Sequence, residues 1–159
     1  MSVEKAERIM PAEAGWGAAL ARFDFNAGMQ LWAEPLCGWA LTRDSEGDST
    51  VAGLVVHPDH PTFVIACYEV RAETGASDDP VYFEGYLRPG QSIEDYREEA
   101  TEHYESWRKR EAQDRALLNA GWTEHPDEPH DRRWEAPDGR TMHRLEALQE
   151  VGGSTEGNG

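Results

Sequence analysis

Lysine is nearly missing from this chain: 2 lysines stand against 13 arginines, with only 3 isoleucines and 3 asparagines in 159 residues. That skew, with abundant Ala, Gly, Asp and Glu, fits a GC-rich genome such as that of a high-GC bacterium or its phages, and it carries no information on activity. Long hydrophobic runs are missing too. None approaches the roughly 18 apolar residues that span a bilayer, so no membrane association is expected. Met1 to Pro11 has no apolar centre and carries Glu4 and Glu7, which does not read as a secretory signal. Two cysteines, Cys37 and Cys67, allow one disulfide at most, too few for a disulfide scaffold. Each lies in an apolar run and reads as a small buried hydrophobe in a reducing cytoplasm, though the two thiols would be close if those runs were neighbouring strands.

Motifs that specify a reaction are also absent. There is no GxGxxG, no P-loop and no HExxH, and none of Ser45, Ser49, Ser77, Ser92 or Ser106 sits in a Gly-x-Ser-x-Gly elbow. Positive charge is scarce: 15 Lys and Arg against 31 Asp and Glu leave −16. A surface of that sign disfavours direct binding to nucleic acid or an anionic membrane. No cofactor is implied, and oligomeric state is not encoded in any pattern here.

What is present is an alternation of short apolar runs with turn residues. Leu36–Thr42, Val51–His57, Thr62–Val70 and Val81–Arg88 read as strands. The links at Asp44–Ser49 and Pro58–Pro61 are too short for a parallel crossover, so the neighbours are antiparallel. Thr62–Val70 is apolar on both alternating faces and is expected to be a central strand, followed by a polar loop over Ala72–Pro80. Residues 16–35 read as a hairpin around Asn26-Ala27-Gly28, although Gly17–Arg22 is Ala-rich in the manner of a helix. Residues 1–15 read as a short helix or a loose arm.

Pro89-Gly90 ends the last strand, Ser92 is an N-cap with Asp95 three residues on, and no Pro or Gly interrupts the chain until Gly121. This spacing predicts a helix over 93–119 whose stripe of Ile93, Tyr96, Ala100, Tyr104 and Trp107 lies on the sheet. Beyond it, Gly121-Trp122, Arg132–Ala136 and the Pro137-Asp138-Gly139 turn form a small β unit. Thr141–Leu148 continues as a strand or short helix, and the Gly/Ser/Asn-rich end reads as a disordered tail. The expected fold is α+β: an antiparallel sheet of four to six strands packed by one long helix, plus a C-terminal β-hairpin unit. The expected domains are a core over 1–120, the hairpin unit packed on it over 121–151, and the tail over 152–159.

Three constellations are candidates for function. Asp95, Glu98, Glu102 and Glu105 recur at three and four residues, on one side of the helix, about 5–6 Å apart. Such a row roughly matches the spacing of phosphates along a nucleic-acid strand and suits a partner protein with a basic surface. The opposing explanation is the helix dipole, which favours acids early and bases late, as seen here in six acids and one base from Glu94 to Glu105. His57, Asp59 and His60 offer metal-ligand chemistry, as do His125, Asp127, Glu128, His130 and Asp131, although both stretches are also ordinary turn and loop sequences. The tryptophans, Trp16, Trp32, Trp39, Trp107, Trp122 and Trp134, are many for this length. They fill the core or mark a partner surface.

Pro11–Trp16, Glu34-Pro35-Leu36-Cys37-Gly38-Trp39-Ala40-Leu41 and Val51-Ala52-Gly53-Leu54-Val55 resemble small acidic proteins of actinobacteria and their phages and mobile elements. The resemblance spans about the first ninety residues and implies no particular activity. Gly121-Trp122, Trp134–Arg140 and Leu145–Leu148 are similar in order to a methyl-CpG-binding domain, whose DNA-reading arginines would correspond to Arg132 or Arg133 and Arg140. The lysine-rich turn of that family is missing and residues 121–159 sum to −5, so the similarity implies a hairpin topology and not DNA binding.

The functional expectation is a non-enzymatic acidic accessory protein of a bacterium or phage that binds another protein, in its sharpest form a DNA-mimic inhibitor of a nucleic-acid-binding protein. The alternatives are a small metal-dependent enzyme using His57, Asp59 and His60, and a nucleic-acid binder acting through the C-terminal hairpin unit.

Overall fold

A computed structural model of the chain describes residues 6–43, 46–74, 78–125 and 133–155. The fold is α+β, with antiparallel sheets, one long helix and two shorter ones. The chain divides into two compact units, residues 1–105 and 106–159.

In the first unit, β1 (Arg8–Pro11), β4 (Gly38–Arg43), β5 (Ser49–His57) and β6 (His60–Ala66) form one sheet in the order β1-β4-β5-β6. A second sheet places β2 (Gly17–Asp24) between β3 (Gly28–Pro35) and β7 (Val81–Leu87). The β2–β3 hairpin turns where expected: the Asp24 carboxylate accepts the Asn26 and Ala27 N–H groups at 2.8 and 2.6 Å, and Gly28 takes a positive φ of 100°. The two sheets share a core of Ala18 and Leu20 from β2, Val55 from β5, Ile65 from β6 and Val81 from β7.

The other face of β2 is covered by the start of the long helix. Ser92 Oγ accepts the Glu94 N–H at 3.2 Å, a 3-10 turn over Ile93–Tyr96 follows, and α2 (Arg97–Asn119) continues from it. Phe23, fully buried on β2, meets the rings of His103 and Tyr104 edge-on at 4.9 and 5.3 Å. A bulge interrupts the β2–β7 ladder, where Ala19 pairs with Gly85 and Leu20 with Phe83. The extra residue sends both Glu84 and Gly85 toward the helix. Glu84 meets His103 Nδ1 at 2.8 Å, and Gly85 receives the Tyr96 ring, whose hydroxyl would lie 2.6 Å from any Cβ placed there.

Three expectations are corrected here. Residues 8–11 are a strand paired with β4, not a helix or arm; four polar-flanked residues leave no local periodicity to read. The centrally placed, doubly covered strand is β2, whose residues 17–21 and 23 are all buried. Its small side chains let layers close on both faces, which a helix-like Ala count conceals. Thr62–Val70 is not that strand. β6 is at a sheet edge with Phe63 61% and Val64 42% exposed, and the chain then coils through a 3-10 turn at Cys67–Glu69 into α1 (Val70–Thr74). There the Thr74 hydroxyl donates to Val70 O at 2.7 Å and accepts from Val81 N–H at 2.9 Å, which ties the short helix to β7.

In the second unit, α2 ends at Gly121, which has a φ of 85°, and the Trp122 N–H closes onto Leu117 O at 3.0 Å. Strands β8 (Thr123–Glu124), β9 (Arg133–Glu135) and β10 (Thr141–His143) pair as β10-β9-β8. The expected turn at Pro137-Asp138-Gly139 carries the chain from β9 to β10, with Gly139 at φ 85°. α3 (Arg144–Thr155) follows, running four residues into the stretch whose composition reads as a tail. Leu117, Trp122, Trp134, Ala136 and Ala147 form this unit's core, so two of the six tryptophans are core residues here. No helix among the described residues is long and apolar enough to cross a membrane.

Candidate functional site

The acidic row lies on the solvent side of the helix start. At about 100° per residue, Glu98, Glu102 and Glu105 of α2 fall in an arc of about 60°, with Asp95 in the 3-10 turn before them. All four are exposed, and Glu99 beside them is a fifth exposed carboxylate that the three-and-four spacing leaves out. On the opposite side, Tyr96, His103 and Tyr104 are half-buried and Ala100 is fully buried. Tyr104 OH donates to Asp24 O at 2.9 Å and Tyr96 OH to Tyr86 O at 2.7 Å. The sheet thus fixes which side faces water.

Asp95, Glu98, Glu99, Glu102 and Glu105 have no ion-pair partner among the described residues. The cation between them in sequence, Arg97, is held by Glu94, with Nη2 2.7 Å from Oε1; that hydrogen bond keeps the Glu94 carboxyl below the usual carboxylate range. From Asp95 to Glu105 the row extends about 15 Å along the axis.

The proposed metal triad is arranged differently. His57 closes β5 and is 5% exposed, while Asp59 in the turn and His60 at the start of β6 are exposed. His57 Nδ1 accepts the Asp59 N–H at 3.0 Å, so that nitrogen is used by the turn itself. The Asp59 carboxylate takes Arg22 Nη2 at 2.7 Å, and Arg22 also reaches Asp79 at 3.2 Å. The His57 and His60 rings are 4.8 Å apart. Among the described residues, no three His, Cys, Asp or Glu side chains converge as a metal ion requires. Of the second cluster, His125 is half-buried, and Asp127, Glu128, His130 and Asp131 lie outside the described residues, as does Arg132 of the methyl-CpG-binding similarity.

The cysteines are unlike each other. Cys37 is exposed, against expectation, and Cys67 is buried; both are free. Burial pushes the Cys67 thiol up to about 12. Cys37 N–H bonds to Leu54 O on one edge of β5, while β6, which ends just before Cys67, pairs with the other edge. With β5 between them, the two backbones are about 10 Å apart, beyond disulfide reach.

One feature escaped the sequence reading. A cleft of about 760 Å³ is lined by Trp16, Tyr86, Arg88, Gln91, Asp95 and Tyr96 with the Pro89-Gly90 turn. A neighbouring cleft of about 300 Å³ shares Trp16 and Gln91 with it. Abundance of tryptophan was the signal available, but Trp16 and Tyr96 come together only through the fold.

Compared with known proteins, the chain matches no protein-family model, no curated protein and no solved structure.

Proposed function

We propose that this chain is a non-enzymatic acidic accessory protein that acts by binding another protein. Its contact row is Asp95, Glu98, Glu102 and Glu105 at the start of α2, and its partner offers a basic surface. The sharper form is a mimic of nucleic-acid charge that occupies the groove of a bacterial or phage nucleic-acid-binding protein in the cytoplasm. One observation carries the reading: the carboxylates face water on one side of a helix with no ion-pair partner among the described residues. The helix dipole accounts for acids in the first turn and fades beyond it. Glu102 and Glu105 lie past that turn, and they sit in a unit with 20 Asp and Glu against 7 Lys and Arg, a net −13 of the total −16. A basic groove responds to that charge geometry because most of its affinity for nucleic acid is electrostatic.

The test is capture from the native host's lysate at low salt, comparing the natural chain with a Glu98→Lys/Glu102→Lys variant, with duplex DNA as competitor. The reading expects a retained protein that is lost on charge reversal and displaced by DNA. Identical retention by both chains defeats it. Retention that is lost on reversal but unaffected by DNA leaves protein binding and removes mimicry.

A further inference from the structure

An opening of another kind lies between the two sheets of the first unit, at the edge formed by β3. Alternation along each strand places its lining. Ala18 and Leu20 of β2 face the shared core, so Arg22 points the same way. The register sets Glu34, Trp32 and Gln30 of β3 opposite Ala18, Leu20 and Arg22, on that same face. On the other sheet Val55 belongs to the core, and His57 follows it two residues on. Inward positions of a sandwich ordinarily fill its core with apolar side chains. Here Arg22, Gln30, Trp32, Glu34 and His57 instead surround a cleft of about 480 Å³, with Pro58 and Pro61 beside them. A volume of that order suits a small molecule.

The charged and hydrogen-bonding groups of this cleft have defined states. Arg22 is already compensated, its Nη2 meeting Asp59 at 2.7 Å and its Nη1 meeting Asp79 at 3.2 Å. Glu34 has no ion-pair partner among the described residues. Its Oε2 accepts the Trp32 indole N–H at 3.3 Å, which holds the carboxylate beside the ring. One cation and three carboxylates thus leave −2 at the cleft and its rim. His57 is 5% exposed. Its Nδ1 accepts the Asp59 N–H at 3.0 Å, so the proton of the neutral ring is on Nε2. That Nε2–H is a donor with no partner among the described residues, on a side chain that lines the cleft. Buried donors of this kind are normally satisfied.

We propose that this cleft binds a protonated arylalkylamine whose far end carries a hydrogen-bond acceptor. The ammonium pairs with Glu34, the apolar body lies against Trp32, Pro58 and Pro61, and the acceptor takes the His57 Nε2–H. Electrostatics select the sign of the ligand. An anion is opposed by Glu34, and Arg22 does not draw one in because two acids already hold it. A bare metal ion does not fit, since no three ligating side chains converge among the described residues. This inference goes beyond the proposed function and uses none of its contact residues, so either can fail alone.

The test is equilibrium dialysis of the full chain against tyramine. Saturable binding is expected. N-acetyltyramine, which lacks the charge, and para-hydroxyphenylacetate, which reverses it, bind at least tenfold more weakly. Phenethylamine, which lacks the phenol oxygen, binds severalfold more weakly. Glu34→Gln, still able to accept the Trp32 N–H, lowers tyramine affinity at least tenfold. His57→Asn, whose Oδ1 is able to accept the Asp59 N–H, removes the advantage of tyramine over phenethylamine. The Glu98→Lys/Glu102→Lys chain binds tyramine as the natural chain does. No retained tyramine up to millimolar ligand, or equal binding of tyramine and N-acetyltyramine, overturns the proposal. Equal tyramine binding by the natural and Glu34→Gln chains also overturns it, and marks loose attraction to the acidic surface. The ligand comparisons use the natural chain, so they decide the matter even if a variant fails to fold.

Discussion

In the second unit, Arg144 at the start of α3 reaches across to α2. Its Nε lies 2.6 Å from Asp114, and its Nη2 donates to Gln113 Oε1 at 2.9 Å and Arg110 O at 3.0 Å. Arg140 binds Asp138 at 2.7 Å and Glu150 at 2.6 Å, and Arg115 binds Glu111 at 3.1 Å. In the first unit, the start of α2 is joined to its sheet by Tyr96, His103, Tyr104 and the buried Phe23, and Asp95, Glu98, Glu99, Glu102 and Glu105 face outward with no ion-pair partner among the described residues. The second unit has 11 acids and 8 bases by sequence, the first 20 and 7. Acidic side chains thus serve as one half of a structural clamp around α3 and as surface without ion-pair partners among the described residues at the start of α2. The difference teaches that net charge alone does not locate a binding face. What distinguishes the two stretches is whether the fold supplies a cation at each carboxylate.

The comparison breaks first at the core, where the expected effect is largest. Phe23→Ala removes a fully buried ring from between β2, Tyr82, His103 and Tyr104. A loss of about 3–5 kcal/mol is expected, read as a lower midpoint in urea denaturation. A midpoint unchanged from the natural chain would mean that aromatic packing does not join the helix to the sheet.

Next in size is the clamp. The Arg144 and Asp114 side chains are 16% and 20% exposed, so Arg144→Ala strands partly buried acceptors and costs about 1–3 kcal/mol. Arg97→Ala, which deletes the exposed partner of Glu94, is expected to leave thermal stability unchanged. Equal effects of the two substitutions would erase the distinction drawn between the units.

Much of this architecture was legible in the chain and some was not, for physical reasons. The long helix announced itself through Ser92, the unbroken run to Asn119 and Gly121, because caps and periodicity are local. The β4–β5–β6 meander and the Pro137–Gly139 turn were legible for the same reason. Centrality was not. Whether Phe63 and Val64 are covered depends on which strands arrive from elsewhere, and the strand sandwiched between two layers turned out to be the Ala-rich β2. Of the candidate site, the exposure of Asp95, Glu98, Glu102 and Glu105 followed from the opposite stripe of Tyr96, Ala100 and Tyr104. Asp59 could not be assigned from spacing, since its partner Arg22 is 37 residues away. The cleft at the Pro89-Gly90 turn depends on residues 16, 86 and 96 meeting, a long-range event with no local signature.

A smaller effect separates the two thiols. Iodoacetamide at neutral pH is expected to label the exposed Cys37 and to spare Cys67 until the chain is denatured, as mass spectrometry of the peptides would show. The fold holds the Cys67 proton up to about 12 against an ordinary value of 9. Between those values the unfolded chain binds fewer protons than the folded one, so this group makes stability fall as pH rises through that window. Labelling of both cysteines at equal rates would contradict the burial of Cys67.

The smallest effect bears most directly on the acidic face. Glu98, Glu102 and Glu105 are like charges at helical contact spacing, each such pair unfavourable by about 0.2–0.5 kcal/mol. A Glu98→Gln/Glu102→Gln/Glu105→Gln variant should therefore melt slightly higher than the natural chain in low salt. The advantage should vanish in 1 M NaCl, where the Debye length shrinks to about 3 Å. An arginine clamp such as Arg140 with Asp138 and Glu150 predicts the reverse, since neutralising its acids removes attraction. A melting temperature that falls in the triple variant would show that these carboxylates are compensated after all, and the first unit would then handle charge as the second does. A rise that disappears with salt would identify a repulsion kept in the folded chain.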